Sequence, residues 1–173
     1  MPAPTESSLI DRVDNADRPV GVVSRGQVFA LAVPFRVVHI FVFNRKGELL
    51  LQQLGKNRRR NPLRWGSSVA GYLHSGEDYV DAAKRRLAEE LNLRTPLMKF
   101  GATVMIDQGC RKFITLYTTV ATRPRILEPD HIEKVQFWPI SKIEQRLSSA
   151  PGDFTETFRH VFRFYQSTSA IAE

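Results

Sequence analysis

The stretch GYLHSGEDYVDAAKRRLAEELNL, from Gly71 to Leu93, decides the fold. From Glu77 to about Asn92, the residues Val80, Ala83, Leu87 and Leu91 recur at helical spacing and make one apolar stripe. Ahead of them stand the end of a strand and a glycine-containing loop. At about 100° per residue, positions 86, 89 and 90 share one side of this helix, next to the stripe. Glu89 and Glu90 are therefore presented at the edge of the buried face, with Arg86 beside them. Hard divalent cations take carboxylate oxygens, and magnesium is usually held by one or two carboxylates together with substrate phosphates. Two adjacent glutamates suit that chemistry. The plain alternative is a solvated helix face on which Arg85 and Arg86 pair with Glu89 and Glu90.

Upstream, RVVHIFVF (Arg36 to Phe43) is short, almost continuously apolar and rich in Val and Phe, the pattern of a strand buried on both faces. ELLLQQL (Glu48 to Leu54) reads as its hairpin partner across the turn-forming Asn44, Arg45, Lys46 and Gly47. A basic loop, GKNRRRNPLR, follows. Downstream, strands are expected near Lys99 to Ile106, Phe113 to Ala121 and Lys134 to Trp138, with a turn at Gly109. A short helix is expected from Ser141 to Leu147. A last one begins at Asp153, a plausible N-cap, and carries Phe154, Phe158, Val161, Phe162 and Tyr165. At least five strands with helices before and after them predict an α/β or α+β layered domain, helices covering both faces of the sheet.

The 173 residues suffice for one domain with its own core, and neither repeats nor low-complexity blocks divide the chain. We read residues 1–9 as a flexible arm and 10–173 as a single domain. The opening MPAPTESSLIDRVDNADRP contains acids and no apolar centre, unlike a signal peptide, and no apolar run has the length of a membrane span. One cysteine, Cys110, excludes an internal disulfide and a multi-cysteine metal site and suits the cytoplasm. A net charge of +7 favours anionic partners: a nucleotide, a small diphosphate or a nucleic-acid backbone. Charge alone does not choose among them.

The Gly71 to Leu93 stretch resembles the signature of the Nudix hydrolases. That box runs glycine, five residues, glutamate, seven residues, Arg-Glu, an apolar residue, any residue, Glu-Glu, any residue, glycine, an apolar residue. Gly71, Glu77, Arg85, Leu87, Glu89, Glu90 and Leu93 fall on it, whereas Arg86 replaces its first helical glutamate and Asn92 its second glycine. RVVHIFVFNRKGELLLQQ, PLRWGSSVAGYLHSGE and PGDFTETFRHVFRFY extend the likeness over most of the chain, toward a subgroup similar in outline to the isopentenyl-diphosphate isomerases. The resemblance implies an α/β/α sandwich with a mixed β-sheet. It also implies hydrolysis of a small diphosphate compound, commonly a nucleoside diphosphate linked to another group, with magnesium or manganese held by box glutamates. On that reading Glu89 and Glu90 are metal ligands and catalytic, while Gly71, Glu77 and Arg85 support the loop and helix. The isomerases resembled require a cysteine and metal-binding histidines, but Ala70 and Tyr72 stand where Cys and His are wanted, so isomerisation is not expected.

Arg86 is the main departure. A guanidinium three and four residues before two carboxylates pairs with both and weakens their pull on a cation. Either fewer ions bind and Arg86 neutralises substrate charge, or hydrolysis is lost and a silent nucleotide- or nucleic-acid-binding module remains. Arg58, Arg59 and Arg60, in the run from Lys56 to Arg60, are candidates for phosphate contact, as solvated loop residues otherwise. Trp65 and Tyr72 could stack on a base, although core packing is the more usual role. His39, His131 and His160 show no ligand spacing. Cys110, beside Arg111 and Lys112, could have a depressed pKa but lacks an evident base. Asp107, Glu128, Asp130 and Glu133 are unranked candidates for an acid outside the box.

Overall fold

The computed structural model describes residues 6–171. Two strands, β1 (Leu9–Val13) and β2 (Pro19–Ser24), form a separate antiparallel hairpin. The main sheet comprises β3 (Phe35–Phe43), β4 (Leu49–Leu54), β5 (Trp65–Gly66), β6 (Val69–Tyr72), β7 (Met98–Asp107), β8 (Cys110–Val120) and β9 (Ile132–Trp138). Three helices accompany it: α1 (Tyr79–Leu91), α2 (Ile140–Ser149) and α3 (Glu156–Ile171). The sheet is mixed, because β3 runs parallel to β8 over its whole length and antiparallel to β6.

The apolar run in β3 is buried on both sides, as its composition predicts. Val38, Ile40 and Val42 alternate toward Ala83, Leu87 and Leu91 of α1, and Phe35, Val37 and Phe41 toward Phe158, Val161 and Phe162 of α3. Two cores on opposite faces of one sheet make an α/β/α sandwich.

The β3–β4 hairpin differs from expectation in one consequential way. The two strands pair only next to their turn, at Phe43 and Leu49, and then part. β4 continues against β9 and β5, while β6 takes the place beside β3. Ser68 bridges the split: its Oγ accepts a hydrogen bond from Val42 N at 2.9 Å and donates one to Leu50 O at 2.5 Å. Backbone groups that lose a strand partner are thus satisfied by a hydroxyl.

Two further expectations are corrected. Residues 6–9 of the arm are tied down, with Leu9 in β1 and the carbonyls of Glu6 and Ser8 accepting from Gly26 N and Arg25 N; residues 1–5 lie outside the described residues. Asp153 does not cap the last helix, since it ends a 3-10 turn and pairs with Arg146, whereas Thr155 Oγ1 accepts from Phe158 N. The β1–β2 hairpin and the short β5 carry too little alternation to stand out in the sequence, whereas β6 is the strand whose end is expected ahead of the glycine loop. No helix among the described residues is long and apolar enough to cross a membrane.

Candidate active site

The parting of β3 and β4 leaves a cavity of about 350 Å³ between β6, the end of α1, the basic loop after β4 and the loop before β9. α1 is positioned at its entrance by two devices. Asp78 caps its start, accepting from Asp81 N at 2.9 Å. Arg85 fastens the preceding loop to it: Nε and Nη2 donate to Glu77 Oε1 and Oε2 at 2.8 and 2.9 Å, Nη2 also reaches Tyr72 O at 3.0 Å, and Nη1 reaches Glu89 Oε2 at 3.2 Å. Burial works against the Glu77 carboxylate, but hydrogen bonds from Arg85 and the His74 N–H outweigh it and lower its pKa. At the other end, Asn92 ends the helix in the left-handed conformation, φ 55°, with its N–H on Ala88 O. Among residues other than glycine, asparagine adopts that conformation most readily, so its exchange for the box glycine leaves the cap intact.

Arg86 occupies the centre of the carboxylate cluster. Its Nη1 donates to Glu89 Oε2 at 2.8 Å, its Nη2 donates to Glu90 Oε1, and the two nitrogens lie 3.4 Å from the oxygens of Glu128. Glu90 Oε2 accepts from Gln52 Nε2 at 2.8 Å. Arg86, Glu90 and Glu128 are all buried. Burial raises the Glu90 pKa despite Arg86 and Gln52, and Glu128 adds to the rise. Burial also disfavours the Arg86 charge, yet Glu90, Glu128 and Glu89 together hold its pKa above the ordinary arginine value. Arg86 Nε, buried as well, has no hydrogen-bond acceptor among the described residues.

Of the candidate acids outside the box, the structure brings Glu128 into this cluster. Asp107 instead pairs with Lys112 Nζ at 2.5 Å and Arg60 Nη2 at 3.1 Å, and those cations lower its pKa against the effect of burial. Asp130 and Glu133 are exposed. The basic loop divides. Arg58 is half-buried on the cavity wall, with no side-chain hydrogen bond or ion pair to any described residue, and Arg60 lies on the same wall, its guanidinium 4.6 Å from the Phe29 ring centre. Arg59 turns to solvent, 87% exposed, and meets Glu6 at 3.1 Å. Tyr72 lines the cavity under Arg25, 4.7 Å from its ring centre, whereas Trp65 packs on Trp138.

The histidines held a surprise. His39 and His131 both line the cavity. His39 Nδ1 is 2.8 Å from Ser67 Oγ, and burial, with Lys112 and His160 nearby, depresses its pKa to about 3, so the ring is neutral. His160 bonds Thr103 through Nε2 at 2.9 Å. For Cys110 the expected depression is reversed: the thiol is buried, and burial and Asp107 raise its pKa.

A divalent cation does not fit the carboxylates as they are arranged. Glu89, Glu90 and Glu128 converge, but on a guanidinium that already takes their charge and hydrogen-bonding capacity. No group of three or more His, Cys, Asp or Glu among the described residues is disposed to hold an ion.

A strand-flanked loop and helix at this spacing, set in an α/β/α sandwich, define a Nudix domain, and the comparisons agree. The NUDIX domain family matches residues 33–158, and the chain belongs to that family. It is 38% identical over 141 residues to a Nudix hydrolase of Nostoc sp., covering 79% of this chain and 83% of that protein. It is 28% identical over 155 residues to an isopentenyl-diphosphate Delta-isomerase of Pectobacterium atrosepticum, covering 87% of each. A solved structure from Deinococcus radiodurans shares the fold with a TM-score of 0.79 at 23% identity, covering 91% of this chain and 99% of that one.

Proposed function

We propose that the chain hydrolyses the diphosphate linkage of a small compound, nucleoside-linked, bound in the cavity between β3 and β4. The observation that carries this reading is the half-buried Arg58, a cation on the cavity wall with no ion pair to a carboxylate among the described residues, with Arg60 and Lys112 lining the same space. Burial lowers the Arg58 pKa and so opposes its charge, although Glu90 counters this; an anionic ligand would compensate it further. Tyr72 and Phe29 line the same cavity, each beneath a guanidinium, Arg25 on Tyr72 and Arg60 on Phe29. Arg58 and Arg60 hold the phosphates in this reading, while Glu77 and Arg85 keep loop and helix in register. Magnesium belongs to the family's chemistry, and Glu89 and Glu90 are the residues to which it would be assigned. With Arg86 between them we derive no step through it. The single cysteine, buried and unpaired with another cysteine, suits a reducing, cytoplasmic setting.

The position of Arg86 favours a second reading, a Nudix domain that binds nucleotides without cleaving them. Release of phosphate or mononucleotide from a panel of nucleoside diphosphate compounds, with and without magnesium, separates the two. Turnover on at least one compound supports the hydrolase, whereas tight binding without turnover supports the silent module. Nucleic acid is the less favoured ligand, because Arg58, Arg60 and Lys112 line a cavity of about 350 Å³, the size of a small-molecule site.

A further inference from the structure

We propose that Arg86 is the built-in cation of this site: its guanidinium permanently takes the place of a divalent ion among Glu89, Glu90 and Glu128, and its removal uncovers a latent metal site. Three observations point the same way. First, three carboxylates from two separate segments converge on one side chain, with Nη1 serving Glu89 and Nη2 serving Glu90, and Glu128 closing the set at 3.4 Å. Oxygen ligands gathered from a helix and a distant loop are what a hard cation needs. Second, the site is built to admit this arginine. Gly71 faces it so closely that a Cβ there would lie 2.7 Å from Nε and 2.8 Å from Cδ and Cγ. Third, Arg86 is 5% exposed on the cavity wall and keeps one donor, Nε, unspent. A metal ion held by these carboxylates would supply positive charge to a ligand phosphate. The guanidinium supplies positive charge in the same place, with its terminal nitrogens on the carboxylates.

The charge arithmetic makes the exchange specific. Arg85 shares Glu89 at 3.2 Å, so the excess of negative charge around Arg86 falls on Glu90 and Glu128, of which Glu90 also accepts a hydrogen bond from Gln52. Replacing Arg86 by a neutral residue leaves Glu89 with Arg85 alone, and Glu90 and Glu128 with no ion-pair partner among the described residues, a set that must take up protons or a cation.

The test is titration of manganese into the whole protein, wild type and Arg86→Gln, by electron paramagnetic resonance, with melting followed in parallel in EDTA and in 1 mM manganese. No substrate is involved, so the result is independent of whether hydrolysis is found. Wild type should bind manganese no tighter than millimolar and melt at the same temperature in both buffers. Arg86→Gln should melt lower in EDTA, recover in manganese and bind the ion at least tenfold tighter than wild type. Glu90→Gln added to Arg86→Gln should remove that gain. Wild-type binding in the micromolar range that Glu90→Gln abolishes would overturn the proposal, as would an Arg86→Gln protein that folds and gains no affinity. If Arg86→Gln does not fold in either buffer, the wild-type titration decides alone.

Discussion

Gly71 and Arg86 are mutually dependent: the arginine side chain crosses the glycine so closely that a methyl group there would sit 2.7 Å from Nε. The box glycine is thus conformationally ordinary in this chain and sterically required. Gly71→Ala should push Arg86 out of the carboxylate cluster and cost about 3 kcal/mol of unfolding free energy, the range for overpacking combined with a broken buried ion pair. Urea denaturation of the variant measures it, and an unchanged midpoint would show that Arg86 can move aside freely.

The basic loop yields a prediction with an internal control. Arg58→Ala and Arg60→Ala remove cations that line the cavity, and each should raise KM about tenfold, with a smaller change in kcat, as loss of uniform binding does. Arg59→Ala, whose side chain points to solvent, should change KM less than twofold. Steady-state kinetics on whichever diphosphate is turned over, or calorimetry with one that only binds, compares the three. Equal effects would mean that the loop rearranges around its ligand.

Asn92 offers a test at the far end of the same helix. Its φ of 55° is accessible to asparagine and glycine, but costs most other residues roughly 1–2 kcal/mol. Asn92→Ala should therefore lower stability by about 1 kcal/mol, while Asn92→Gly, the residue of the family pattern, should not lower it. Chemical denaturation of the two variants reads the difference directly.

The sequence made the framework legible wherever periodicity was strong. The continuous apolar run of β3, the stripe on α1 and the aromatic repeat on α3 each lead to the observed element within a few residues. A short pairing segment such as β5 left no such trace, because two residues give no period to detect. In the site, the pairing of Arg86 with Glu89 and Glu90 followed from helical geometry alone. Glu128 did not: it lies 38 positions beyond Glu90, and its choice over Asp130 depended on the path of a loop. Nor could spacing show that Arg58 and Arg60 face inward while Arg59 between them does not. His39 had one hidden clue, an imidazole in the middle of an otherwise apolar strand, which implied a buried polar partner. Ser67 proved to be that partner.

That imidazole governs the last prediction. His39 titrates near 3 in the folded protein and near 6.5 when unfolded, because burial and the neighbouring Lys112 and His160 disfavour its charge. Between those values the unfolded chain holds one more proton, so stability falls by about 1.4 kcal/mol for each unit of acidification below 6.5. His160, also lowered by burial, contributes in the same direction, and Glu90, raised by burial, in the opposite one. The carboxylates lowered by their cations, Glu77 and Asp107, add their losses only as the pH falls further, below their ordinary values of 4.5 and 3.8. The window from 6.5 down to about 5 is therefore where the difference between wild type and His39→Gln isolates this one ring, since glutamine can still meet Ser67 but does not titrate. Denaturation at several pH values should show the variant's stability falling less steeply across that window. Parallel curves for the two proteins would place the titrating group elsewhere.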